Sequence, residues 1–155
     1  MQEVKIYRDR GEVNVSYISG FENRYAMSFP VEYKELLTKH NALRLEKDHF
    51  NYNLNGERRA ADISFLGYGP SIDDYLCIDR LQQDNEYPDK GLIVFGETAG
   101  GDYVCFDYRL VPDTKSPPVV IMLHDYLDAD NNMVVCDVAS DFASFMDYLY
   151  EYKID

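Results

Sequence analysis

A chain of 155 residues, 46% of them apolar, can bury one hydrophobic core without disulfides or metals and is too apolar to stay disordered. Its formal net charge of -13 disfavours nucleic acid and anionic membranes as partners, because both are polyanions. No run approaches the ~18 apolar residues that span a bilayer, and residues 1–5 lack the apolar stretch of a signal peptide, so a cytosolic protein is expected.

The first predicted element is a helix over roughly residues 16–26, with Ile18, Phe21 and Tyr25 at helical spacing and Asn14 or Ser16 as its cap. Gly20 weakens it, and the alternation of Val13, Val15 and Tyr17 would also fit a short strand. Pro30 suits the first turn of a second helix, where its missing N–H costs nothing. Tyr33, Leu36, Leu37 and His40 then form one stripe at i, i+3, i+4, i+7, and Asn41 is a plausible stop. Residues 63–66 read as a strand ending at Gly67, with a turn at Gly69-Pro70, and residues 72–82 as a short helix carrying Ile72, Leu76 and Asp79 on one line.

Four apolar runs follow, at 92–95, 103–106, 119–123 and 133–136. A Gly-rich turn separates the first two and the polar segment 128–132 the last two, which predicts an antiparallel meander. The chain closes on a helix, capped by Ser140 and with Asp141 in its first turn, where negative charge suits the helix dipole. Phe142, Phe145, Met146 and Leu149 make its buried stripe. Helices at both ends around a sheet define an α+β domain over residues 1–155.

Little in the sequence carries catalytic chemistry. The three cysteines, Cys77, Cys105 and Cys136, form no C-x-x-C pair, and buried free thiols are expected. His40, His49 and His124 have no second ligand at metal-binding spacing and no neighbouring nucleophile. Asp128-x-Asp130-x-Asn132 imitates an EF-hand opening, but Met133 stands where Gly is required and Ala139 where a bidentate Glu is required. The glycines of residues 96–101 lack the G-K-[ST] ending and the following helix of a phosphate loop, so a turn needing positive φ explains them better. Asp102 can bond backbone N–H groups in that turn. Glu97, Asp102 and Asp107 could be imagined as an acid/base or metal cluster, yet Asp102 and Asp107 differ by an odd number and face opposite sides of a regular strand. No cofactor, metal or catalytic residue is expected.

Residues 95–109, a strand, a Gly-rich turn ending in Gly101-Asp102 and a second strand ending at Asp107, resemble the central motif of the SUKH superfamily (Smi/Knr-like domains). The segment from Phe29 through Pro30 to Leu37 is similar to that family's Pro-initiated helix, Phe21-Glu22 to the helix before it, and residues 138–146 to its closing helix. The likeness covers roughly residues 16–152; it departs where Asn41-Ala42-Leu43 replaces the frequent Asn-Gly-Gly. The resemblance implies a curved, mostly antiparallel sheet with helices at both ends, and Pro30, Gly96, Gly101, Asp102 and Asp107 as structural motif residues. It also implies function by protein binding, most often as a bacterial immunity protein that neutralises a toxin, frequently a nuclease. Regulatory scaffolds are the alternative.

Charge distribution agrees independently. Residues 1–60 hold ten Lys/Arg against nine Asp/Glu, whereas residues 61–155 hold five against nineteen. Such a surface speeds encounter with basic partners. Asp73-Asp74, after a Gly-Pro turn, and Asp125, Asp128 and Asp130, around a polar connection, are the expected contact residues for a basic toxin domain.

Overall fold

The computed structural model describes residues 5–70, 72, 77, 78, 82 and 91–153. Strand β1 (Ile6–Arg8) leads into helix α1 (Val15–Tyr25), helix α2 (Val31–Leu37) and strand β2 (Arg44–Leu45). Strands β3 (His49–Leu54), β4 (Glu57–Asp62) and β5 (Ser64–Phe65) follow, then β6 (Leu92–Glu97), β7 (Tyr103–Asp107), β8 (Val119–Leu127), β9 (Met133–Ala139) and helix α3 (Phe142–Tyr148). Strands β5-β6-β7-β8-β9 make one five-stranded sheet in sequence order, and every ladder in it is antiparallel. The expected meander is its β6–β9 part. Two antiparallel pairs, β1-β2 and β3-β4, complete an α+β fold, and one isolated parallel bridge joins Gly67 to Cys77.

Local chemistry explains the helices and corrects several expectations. Asn14, not Ser16, caps α1: its Oδ1 accepts the Ser16 N–H at 2.9 Å. Pro30 sits one residue before α2, as its N-cap, and its carbonyl accepts the Lys34 N–H. Helix α2 stops at Leu37, one turn short of the predicted stripe, so His40 lies beyond the helix and pairs with Asp9 at 3.0 Å. Asn41 is not the stop but a buried polar clamp: its side chain accepts the Tyr68 N–H and donates to the Tyr68 carbonyl, both at 2.9 Å. Asp141, not Ser140, caps α3 by accepting the Ser144 N–H at 2.8 Å. The helix expected over 72–82 falls mostly outside the described residues.

The hairpin β3–β4 is an element the sequence reading did not include. Its two-residue turn is Asn55-Gly56, with φ of 52° and 82°, the backbone of a type I′ turn that matches strand twist. Register pairs run from His49↔Asp62 to Leu54↔Glu57 without a break.

One core joins these layers. Phe95 and Phe106 stack at 4.1 Å, and Tyr33, Phe142 and Phe145 set their rings around them at 5.1–5.9 Å, mostly edge to face. The predicted stripe Phe142, Phe145, Met146 and Leu149 is buried throughout, with Leu149 just past the helix end. The Tyr33 and Tyr68 hydroxyls meet at 2.8 Å inside the core, and burial pushes the Tyr33 phenol well above its usual range. Val104, Cys105 and Phe106 are consecutive and all buried, so both faces of β7 are covered. Cys105 and Cys136 are buried free thiols as expected, while Cys77 is half-buried. Burial raises both of the buried thiols, which makes them inert rather than reactive.

Candidate partner-binding face

The acidic surface is built on two neighbouring turns. The first joins β6 to β7. Gly101 donates its N–H to the Thr98 carbonyl at 3.1 Å, and Thr98 Oγ1 accepts the Asp102 N–H at 3.0 Å. Gly101 has φ of +92°, so the positive-φ expectation holds there, and a Cβ on it would sit 3.4 Å from the His124 ring. Gly96 serves a different purpose: a Cβ there would collide with Ile63 Cδ1 at 2.6 Å, so its role is close strand packing.

Asp102 leaves this turn and reaches β8. Its Oδ1 accepts the His124 backbone N–H at 3.0 Å and lies 2.6 Å from His124 Nδ1. The hydrogen bond to Asp102 raises the His124 pKa above its ordinary value, partial desolvation opposes it, and the charges of Asp102 and Asp125 add to the rise. Asp125 Oδ1 stands 4.0 Å from the same nitrogen. Ligand atoms of Asp102, His124 and Asp125 lie within 4.8 Å of one another. Nδ1 is already committed to the Asp102 hydrogen bond, and a cation would have to displace that proton.

The second turn joins β8 to β9. Strand β8 continues past the apolar run of residues 119–123 to Leu127, so the strand carries the acidic segment outward. Residues 124–132 are exposed except for half-buried Tyr126. The Arg59 guanidinium of β4 lies 5.2 Å from the Tyr126 ring centroid, which ties this end of β8 to the β3–β4 hairpin. Asp128 Oδ1 accepts the N–H groups of Asp130 and Asn132 at 2.9 and 3.0 Å, and Asn131 takes φ of +66°. The turn is therefore locked by its own carboxylate. Beside it runs a groove of about 640 Å³, lined by Asp128, Asn132 and Arg109 as well as by Met122, Met133 and Val135.

The expected contact residues thus divide. Asp125, Asp128 and Asp130 come together on one exposed hairpin end, with Asp128 partly engaged in holding the turn. Asp73 and Asp74 lie outside the described residues. The three carboxylates considered as a catalytic cluster have separate surroundings. Glu97 is half-buried at the end of β6, and burial raises its carboxyl. Asp102 is bound to His124. Asp107 ends β7 and accepts Arg109 Nε and Nη2, each at 2.9 Å; burial raises its pKa but the Arg109 hydrogen bonds outweigh that and lower it. The His124–Asp102 pair spans 22 positions, which no spacing motif exposes. Its readable sign was the Gly101-Asp102 step itself, a turn residue followed by an acceptor. Among the described residues, no helix is long and apolar enough to cross a membrane.

An antiparallel sheet with helices before and after it makes the chain an α+β domain. A family model, SMI1 / KNR4 family (SUKH-1), matches residues 12–148, and the chain belongs to that family. No curated protein and no solved structure matches the chain.

Proposed function

We propose that this protein is a bacterial immunity protein of the cytoplasm, which neutralises a basic toxin domain by direct, stoichiometric binding and catalyses nothing itself. The observation that carries the reading is the β8–β9 hairpin end, where Asp125, Asp128 and Asp130 stand exposed on a chain of net charge -13. A domain that cleaves nucleic acid must approach phosphates and so presents Lys and Arg. A fixed acidic projection is complementary to that surface and speeds its capture.

The test is a protection assay. A basic nuclease toxin domain is induced in a susceptible strain with and without this protein. Survival of toxin-expressing cells only when this protein is co-expressed, together with a one-to-one complex on size exclusion, supports the reading. Unprotected cells, with recovery of a constant endogenous partner instead, would assign the chain to the regulatory scaffolds.

A further inference from the structure

We propose that residues 124–126 are a clamped bulge, a piece of β8 with two available registers against β9, held out of the ladder by two side chains from other elements, Asp102 of the β6–β7 turn and Arg59 of β4. It is a device of the fold and stands independently of the toxin-neutralising reading.

The strand register defines the bulge. Leu123 pairs with Val134 and Leu127 with Met133. Val134 and Met133 are neighbours, whereas His124, Asp125 and Tyr126 intervene between Leu123 and Leu127, so no residue of β9 stands opposite these three. A bulge disrupts the ladder locally and bends its strand, and other contacts must hold it in place. Two are present. Asp102 Oδ1 accepts the His124 backbone N–H at 3.0 Å and lies 2.6 Å from His124 Nδ1. The Arg59 guanidinium lies 5.2 Å from the Tyr126 ring centroid, and Tyr126 is the half-buried member of the three. The clamps come from opposite directions in the chain, β4 before the sheet and the turn inside it.

A second register is open to the same two strands. Continuing the Leu123↔Val134 pairing without a bulge sets His124 against Met133 and Asp125 against Asn132. The connecting loop then changes only from residues 128–132 to residues 126–131, and closure entropy varies slowly with loop length. Side-chain contacts therefore decide between the two. The bulged register keeps both clamps and the turn closed by Asp128, whose N–H donates to the Asn132 carbonyl at 2.8 Å and whose Oδ1 accepts two further N–H groups. The regular register exchanges them for ladder pairing at His124 and Asp125. A strand slip of this kind changes which side chains share a face, so the clamps set whether Asp125 projects from a bulge or lies within the sheet.

Cross-strand nuclear Overhauser contacts of Met133 report the register, and amide hydrogen exchange reports local opening. Wild type, Arg59→Leu, Asp102→Ala and the double variant are compared. In wild type Met133 should contact Leu127 across the strands. Each single variant should speed exchange at Leu127 and Met133 about tenfold, the size of one lost clamp, while the β6–β7 amides keep their wild-type rates. In the double variant Met133 should contact His124 instead. A folded double variant that keeps the Met133–Leu127 contact overturns the proposal. If the double variant does not fold, Arg59→Leu decides: its side chain is 34% exposed and outside the core, and wild-type exchange at Leu127 and Met133 in that variant overturns the proposal as well.

Discussion

His124 makes two contacts to a single oxygen of Asp102, its backbone N–H at 3.0 Å and its ring Nδ1 at 2.6 Å. One residue of the β6–β7 turn therefore sets both the path of β8 and the orientation of the imidazole at the base of the acidic projection. The bond favours the charged imidazolium, and its sign dictates a pH dependence. A histidine whose pKa is higher folded than unfolded contributes stability fully below the unfolded value of about 6.5 and loses it as pH rises through the folded value. The side chain is 43% exposed, so the contribution is small and screened by salt. In an NMR titration His124 should titrate above about 6.5, and Asp102→Asn should bring it back toward that value. Identical midpoints in both proteins would refute the pairing.

Two glycine substitutions should have opposite signs. Gly101→Ala puts a Cβ at φ of +92° and 3.4 Å from the His124 ring, and about 1–3 kcal/mol of stability should be lost. Gly20→Ala lies inside α1 with nothing within 4 Å of the new methyl. It should add about 0.5–1 kcal/mol by improving helix propensity. Urea denaturation of the two variants resolves the difference.

Core truncation should be severe. Phe145 is fully buried, with the rings of Phe50 and Phe95 at 5.5 and 5.9 Å. Phe145→Ala should cost about 3–5 kcal/mol, against a domain stability of about 5–15 kcal/mol. A melting temperature close to wild type would show that the α3 packing is wrong.

Asn41 offers a polar counterpart. Its side chain closes a two-bond ring with the Tyr68 backbone in a buried position. Asn41→Leu removes both bonds to the Tyr68 backbone, each worth about 0.5–1.5 kcal/mol net. Stability should fall although no aromatic contact is touched, and thermal denaturation would register it.

Periodic elements were legible because burial imposes their period. Phe142, Phe145, Met146 and Leu149 repeat at helical spacing since one helix face must meet the sheet, and the four apolar runs of β6–β9 alternate with turns for the same reason. Caps were less legible. Ser140 and Asp141 are both good caps, and only the backbone conformation, extended at Asp141, decides between them. The β3–β4 hairpin was missed because β4 carries Glu57, Arg58 and Arg59 instead of apolar alternation. Asn55-Gly56 was its one clear signal, a pair that tolerates positive φ at both positions. Asn41 illustrates a further limit. Next to a helix it reads as a stop, and its pairing with a residue 27 positions away depends on the fold. At the acidic face, sequence located the charged turn but not its internal commitment, since the bond of Asp128 to its own turn appears only once the turn is closed.

That commitment lets charge and turn geometry act separately on the binding kinetics. Steering by exposed carboxylates acts during approach and is screened beyond a Debye length of about 8 Å at physiological ionic strength. The association rate of the wild-type protein with its toxin domain should therefore fall as salt rises, with dissociation changing less. Neutralising Asp125, Asp128 and Asp130 together to Asn should slow association and flatten its salt dependence. Asn is the right replacement at 128 because its Oδ1 can still accept the N–H groups of residues 130 and 132, as the carboxylate does. Asp128→Ala removes charge and acceptor together. It should slow association by the loss of one charge and, by unlocking the turn, also speed dissociation, an effect absent from Asp128→Asn. Surface plasmon resonance across a salt series separates the two rates. A flat association rate for wild type and triple variant alike would reduce the acidity to a solubility feature, and equal dissociation of Asp128→Ala and Asp128→Asn would show that the locked turn plays no part in holding the partner.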